Sequence, residues 1–263
     1  MFTHSSQQTK KKSTVVLILL WSRIAFHVLQ GLLTLCFLMP FADLQQKQRK
    51  TQRWARRLLS ILQVRLEVSG IELPKAATFL VASNHISWLD IHAINAFRVL
   101  RFVAKAEVES WPIFGWMAKQ LDTIFIRRDS SRHARAVVER MAQVFSVRPI
   151  CIFPEGTSSI GDGVLPFKSN LFEAAIVAQV PVFPLAIQYL NRTSGQRSIT
   201  PAFVGEMTLL ESIHNVIYSQ DLVVSIEILP PYLPQSGTVL DRKQLALFCQ
   251  KSIEQAIAQH DVI

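Results

Sequence analysis

The chain has 263 residues, 49% of them hydrophobic, and a formal net charge of +9 from 28 basic and 19 acidic residues. That length and apolar content support one substantial core, or one domain joined to a membrane element. Three cysteines, Cys36, Cys151 and Cys249, sit in apolar surroundings. An odd number without ligand spacing excludes a disulfide framework and fits a reducing compartment.

Residues 13–42 are mostly apolar, from Val15-Val16-Leu17 to Leu38-Met39-Pro40-Phe41. About 20 apolar residues suffice to cross a bilayer. Arg23, His27 and Gln30 interrupt the stretch, and each is costly at a bilayer centre. A secretory signal peptide is the alternative, but the stretch is too long and has no small-residue cleavage site. Lys10, Lys11 and Lys12 precede it, and Lys47, Arg49, Lys50, Arg53, Arg56 and Arg57 follow it. Charge placed where lipid headgroups would lie favours an anionic membrane over nucleic acid as the partner. Residues 44–63 predict an interfacial amphipathic helix, with Trp54, Leu58, Leu59, Ile61 and Leu62 among the cations. Residues 1–63 are therefore expected to form a helical anchor that embeds in or crosses a membrane.

Beyond residue 63, short apolar runs alternate with helical patterns. Strands are expected at Val64–Val68, Thr78–Ala82, Phe102–Ala104, Thr123–Ile126, Ile150–Phe153, Val182–Gln188 and Leu222–Ile228. Helices are expected near 88–97, 109–120, 131–146, 169–178 and 241–259, and Asn191 to Gln196 reads as a loop. Such alternation predicts an α/β fold in which helices cover the sheet and sites lie at strand ends. With no internal repeat or low-complexity linker, residues 64–263 are expected to form a single domain.

Two segments carry chemistry. In Asn84-His85-Ile86-Ser87-Trp88-Leu89-Asp90, a histidine and an aspartate stand five positions apart. On one continuous helix they would point about 140° apart. They meet only if His85 lies in a strand-to-helix turn and Asp90 in the first turn of the helix. Asp90 would then fix the tautomer of His85, making it a general base toward an alcohol. The bland alternative is a polar turn in which Asp90 serves the helix end and His85 packs.

The second segment, Phe153-Pro154-Glu155-Gly156-Thr157-Ser158-Ser159, ends an apolar run. Amides of Gly156, Thr157 and Ser158 could face a phosphate or a developing oxyanion, and Glu155 a hydroxyl. A simple Pro-Gly turn is the alternative there. Between the two segments, Arg127 and Arg128 follow Ile124-Phe125-Ile126, and Arg128 suits a bidentate grip on a phosphate monoester. A solvated charge run is the competing reading of that doublet. His92 invites a metal reading with His85 and Asp90, but no Cys or His cluster completes a site. Gly156 and Gly161 have P-loop spacing, yet Asp162 replaces the lysine, and no Gly-x-Ser-x-Gly elbow occurs.

Together these residues resemble the glycerolipid acyltransferases, specifically the 1-acylglycerol-3-phosphate and lysophospholipid acyltransferases. Asn84, His85 and Asp90 match that family's Asn-His-x4-Asp motif. Thr123 to Arg128 matches its second motif, placing its arginine on Arg128, and Phe153 to Thr157 matches its Phe-Pro-Glu-Gly-Thr without change. Val180 to Leu185 is similar to its proline-containing fourth motif, and Phe102 to Glu107, with Pro112 and Gly115, to the stretch before the second. Arg127 stands where the family often has Asp, Asp122 where Gly is frequent, and Ser169-Asn170 where a Lys-Gly pair is common.

The resemblance implies a mixed sheet covered by helices, like the glycerophosphate acyltransferases, with an N-terminal helical pair dipped into one leaflet. It implies a catalytic pair of His85 and Asp90, and a substrate-binding set of Asn84, Lys105, Arg128, Glu155, Gly156 and Thr157. Lys105 enters that set because relatives place a lysine near the acceptor phosphate. It implies transfer of a fatty acyl group from acyl-coenzyme A or acyl carrier protein to 1-acylglycerol-3-phosphate, with no cofactor and no metal. Work at the cytoplasmic face of a membrane is expected, without nucleic acid. The alternatives are another lysolipid acceptor, such as lyso-ornithine lipid, or a catalytically silent lipid-binding protein.

Overall fold

The computed structural model describes residues 12–75, 77–126, 131–145, 148–219, 221–232 and 241–260. Seven strands form one sheet in the order β1-β7-β6-β2-β5-β3-β4. They are β1 (Arg65–Gly70), β2 (Leu80–Ser83), β3 (Arg101–Lys105), β4 (Ile124–Ile126), β5 (Ile150–Ile152), β6 (Val182–Asn191) and β7 (Leu222–Ile228). Every neighbouring pair is parallel except β6 and β7, so the sheet is mixed.

The central strands are buried on both faces. All four positions of β2 and all three of β5 are buried, as a parallel strand covered on both sides requires. Strand β1 closes one edge and is mostly exposed, with Arg65 and Glu67 in it, which discourages further strand addition. One core cluster joins Phe79, Val81, Ile86, Leu89 and Ile94 to Leu185, Ile187 and Tyr189 on one face. A second, on the other face, gathers Leu80, Ala82, Ile150, Ile152 and Phe172 with Met141, Phe145, Leu245 and Cys249.

Helix α1 (Thr14–Leu33) runs into a π-helical turn at Thr34–Leu38, and α2 (Leu44–Ile61) folds back against it. The Asp43 side chain caps α2 by accepting from the Gln46 amide at 2.8 Å. The pair is docked, because Leu20, Ile24, Ala55, Leu58 and Leu59 belong to the same core cluster as the sheet. Its outer surface is apolar, with Val15, Ile18, Phe26, Leu29, Phe37 and Phe41 exposed. The segment Thr14–Leu38 is long and apolar enough to cross a bilayer, at mean hydropathy 1.8.

The remaining helices are α3 (Leu89–Phe97), α4 (Ala106–Glu109), α5 (Phe114–Gln120), α6 (Ser131–Phe145), α7 (Glu173–Val177), α8 (Leu209–Tyr218) and α9 (Arg242–His260). The stretch expected as one helix over 109–120 is two. Pro112 and a positive φ of 65° at Ile113 break the chain between α4 and α5. Helix α8 was absent from the sequence reading. Its start is a capping box in which the Thr208 hydroxyl accepts from the Glu211 amide and Glu211 accepts from the Thr208 amide.

Candidate active site

Strand β2 ends at Ser83, and the next residues turn directly into α3. His85 therefore lies in the turn and Asp90 in the first turn of the helix, the arrangement that a five-residue spacing needs. The His85 Nδ1 and the Asp90 Oδ2 are 2.8 Å apart. Asp90 is fully buried, while the His85 side chain retains 21% exposure.

A buried carboxylate is costly unless its lone pairs are filled. Here they are. Asp90 Oδ2 also accepts the amides of Ile86 at 2.7 Å and Ser87 at 3.0 Å, and Oδ1 accepts the Tyr189 hydroxyl at 2.7 Å. With Nδ1 committed to Asp90, the other ring nitrogen of His85, Nε2, carries the lone pair and has no hydrogen-bond partner among the described residues. The imidazole lies stacked on Phe153, with ring centroids 4.1 Å apart.

The backbone of the turn is fixed as closely as the side chains. The His85 amide donates to Glu155 Oε1 at 2.8 Å, and the His85 carbonyl accepts the Ser159 amide at 2.8 Å. The Ile86 carbonyl accepts the Phe203 amide at 2.9 Å. Strand β5 lies beside β2 and parallel to it, so the segment after β5 emerges at the same end of the sheet as His85. Ligands in open α/β sheets collect at that end. Gly161 brings the loop against the turn. Its φ is +80°, and a Cβ there would sit 2.8 Å from the Ile86 Cδ1.

Three residues expected to bind substrate are placed otherwise. Asn84 is fully buried, and its amide side chain both donates to and accepts from the Ile187 backbone, at 2.9 and 2.8 Å. It joins β6 to the turn and offers nothing to a ligand. Glu155 is only 3% exposed, and its second oxygen accepts the Leu165 amide at 3.2 Å, so it braces the turn instead of meeting a hydroxyl. Burial pushes its carboxyl up to about 7, although the two amides and His85 pull the other way. The Gly156 amide closes a turn onto the Phe153 carbonyl at 3.0 Å and is not free for an oxyanion. The Thr157 and Ser158 amides have no acceptor among the described residues, and Thr157 is exposed beside them.

Lys105 is exposed at the end of β3, two strands from β2 in the sheet and at the same end of the sheet as His85. Two strand spacings separate them by about 10 Å along the sheet. Arg127 and Arg128 lie outside the described residues. His92 turns away from the pair and packs its ring against Trp54 at 5.4 Å and Trp88 at 5.6 Å. Burial, with His27 nearby, holds its pKa down to about 4.

Tyr189 is the site residue that sequence reading missed. It is 99 positions from Asp90 and sits at a buried position of β6. Burial and the Asp90 charge hold its hydroxyl well above the usual range, so it stays a donor. Only the polar tip of one aromatic residue in a mostly apolar strand hinted at this. Apolar surface flanks the turn: Trp111 meets Phe203 edge-on at 6.4 Å, and Trp111, Ile113 and Trp116 are all exposed. A cavity of about 460 Å³ lies elsewhere. Thr78 and Pro149 in its lining precede β2 and β5, at the end of the sheet opposite the pair.

A family model described as Acyltransferase matches residues 65–188. A lyso-ornithine lipid O-acyltransferase of Pseudomonas aeruginosa is 37% identical over 221 residues, covering 83% of each chain. A 1-acyl-sn-glycerol-3-phosphate acyltransferase of Neisseria meningitidis serogroup B is 34% identical over 187 residues, 70% of this chain and 71% of that protein. The crystal structure of the 1-acyl-sn-glycerophosphate (LPA) acyltransferase PlsC from Thermotoga maritima shares the fold, with a TM-score of 0.68. It is 20% identical and covers 93% of this chain and 94% of its own.

Proposed function

The chain belongs to the acyltransferase family of glycerolipid and lysolipid enzymes, and from that premise we propose how its site works and on what. It moves a fatty acyl group from acyl-coenzyme A or acyl carrier protein to the free hydroxyl of 1-acylglycerol-3-phosphate, giving phosphatidic acid. The observation that carries the mechanism is the 2.8 Å contact of His85 Nδ1 with a buried carboxylate, which leaves Nε2 open.

Nε2 takes the proton of the acceptor hydroxyl as that oxygen attacks the thioester carbonyl. Asp90 stabilises the imidazolium that results, and a general base of this kind contributes about 10²- to 10⁴-fold. The tetrahedral oxyanion is met by the Thr157 and Ser158 amides. Collapse breaks the carbon–sulfur bond, and the imidazolium returns its proton to the departing thiolate. No acyl-enzyme, cofactor or metal takes part. Lys105, exposed at the same end of the sheet, and Arg128, by its match to the family motif, hold the acceptor phosphate. The exposed Trp111, Ile113 and Trp116 support an acyl chain lying beside the turn. The protein works at a membrane entered by α1, on the cytoplasmic face where both thioester donors are found.

A second reading, the same chemistry on lyso-ornithine lipid, is favoured by the Pseudomonas relative's name and by Arg127 standing where the family often has Asp. One assay separates them. Membrane fractions holding the protein or His85→Ala receive labelled acyl donor and a panel of lysolipids with and without a phosphate monoester. Transfer to 1-acylglycerol-3-phosphate that disappears with His85→Ala supports the first reading. Preference for lyso-ornithine lipid supports the second, and full activity of His85→Ala defeats the mechanism in both.

A further inference from the structure

The α1–α2 hairpin encloses a feature that acyl transfer does not use. Between α1, the π-helical turn, α2 and α5 lies a cavity of about 240 Å³. Leu35, Leu38, Met39, Met117 and Leu121 form its apolar wall, and Lys50, Arg53 and Arg57 reach it from α2. That volume is below the usual range for a whole drug-sized ligand, about 300–1,000 Å³, so it suits part of one molecule.

His27 lines the same cavity. It is 1% exposed and stacks on Trp54 at 4.5 Å, yet neither ring nitrogen makes a hydrogen bond of normal geometry among the described residues, only a weaker approach to the Trp54 backbone. Two such nitrogens on a buried ring are unusual in a folded protein, and a ligand atom is one way to satisfy them. The charge around the opening is one-sided. Helix α2 carries six cations and no acidic residue, and no described acidic side chain pairs with Lys50, Arg53 or Arg57. Among the described residues Arg57 bonds only the neutral Gln30 side chain, at 2.9 Å. Beside the cavity, Phe37, Leu38 and Phe41 are exposed at 66%, 51% and 89%.

We infer that this cavity is a binding site for one anionic phospholipid of the surrounding bilayer, separate from the substrate site. An acyl segment fills the apolar pocket, the phosphate sits against Lys50 and Arg53, and a polar atom of the headgroup or glycerol region meets His27. Charge complementarity selects the anionic lipid, since a zwitterionic headgroup brings its own cation to a rim that has no acid to receive it. Exposed Phe37 and Phe41 place the opening where lipid is at hand.

Native mass spectrometry of the full chain in a neutral detergent tests this, with dihexanoyl phosphatidylglycerol against dihexanoyl phosphatidylcholine below their micelle concentrations. The expected result is one phosphatidylglycerol retained per chain at concentrations where phosphatidylcholine leaves none. Lys50→Gln with Arg53→Gln, at positions not fully buried, should weaken retention about tenfold or more. His27→Phe, which keeps the ring stack, and Thr34→Phe, which fills the pocket, should weaken it too, with folding checked by circular dichroism. Lys47→Gln with Arg49→Gln removes equal charge away from the cavity and should leave retention intact. Equal retention of both lipids overturns the site, as does an equal loss in the Lys47/Arg49 control. His85→Ala should bind the lipid normally, so failure of the catalytic proposal and failure of this one read out separately.

Discussion

The turn around His85 and the α1–α2 hairpin satisfy their polar groups in opposite ways. At the turn, each Asp90 oxygen has a partner inside the protein, and the amides of His85, Ile86 and Ser87 all end on carboxylates. In the hairpin, large apolar side chains face outward, six cations of α2 lack described acidic partners, and His27 is buried with neither nitrogen in a normal hydrogen bond among the described residues. A site that must hold one imidazole in one tautomer is completed from within, because any slack costs rate. A surface proposed to meet lipid leaves its valences open for what it meets. The same chain therefore carries a closed network and an open one, joined through Trp54, His92 and Trp88, whose rings run from the hairpin to the start of α3.

The strongest break in that contrast is at the base. His85→Ala is expected to lower turnover by about 10²- to 10⁴-fold with little change in membrane retention, measured on membrane fractions with labelled donor. On the open side, Phe37→Ser with Phe41→Ser should leave turnover on dispersed substrate intact. It should weaken vesicle binding by about 10²-fold or more in a flotation assay, since each buried phenylalanine contributes about 1.5–3 kcal/mol.

Glu155 sharpens the comparison through pH. Its carboxyl titrates near 7 in the folded chain against 4.5 as the ordinary value, so the native state holds a proton that the unfolded chain releases in between. Its contribution to stability is full below pH 4.5 and is lost as pH rises through 7, a change of about 3 kcal/mol. Denaturant melts from pH 4.5 to 7.5 should show that slope in the native protein and not in Glu155→Gln. A flat native profile would mean that the carboxylate is ionised throughout.

Tyr189→Phe removes one donor to a buried carboxylate and keeps the ring. Hydrogen bonds to charged groups contribute about 1.5–3 kcal/mol, so a fall in kcat of about tenfold or more is expected with KM unchanged. A shift in the acidic limb of the pH–rate profile would mark this as positioning of His85, because a purely structural loss would leave that limb in place. The smallest effect expected is none: EDTA should leave turnover unchanged, as the proposed step needs no metal.

Much of the architecture was readable from pattern alone. All seven strands lie where short apolar runs predicted them, because β2, β5 and their neighbours are buried on both faces and need continuous apolar sequence. Strand β6 runs three residues further than its apolar run, to Asn191, because its antiparallel partner β7 continues pairing through Leu222. Helix α8 carried a legible start signal in Thr208 and Glu211. The break between α4 and α5 was marked by Pro112 but depended on a backbone angle at Ile113 that no residue type announces.

By itself the sequence determined the alternation of strands and helices, the apolar hairpin with its cations, and the spacing at which His85 and Asp90 can pair. Each of these is a local pattern of burial or spacing. Only the tertiary structure decided who completes the pair and who merely braces it. Tyr189 reaches Asp90 from β6, while Asn84 and Glu155 give their oxygens to backbone amides instead of to a ligand. The physical reason is that a buried polar group must find a partner, and which partner lies near is set by strand order and register across the sheet.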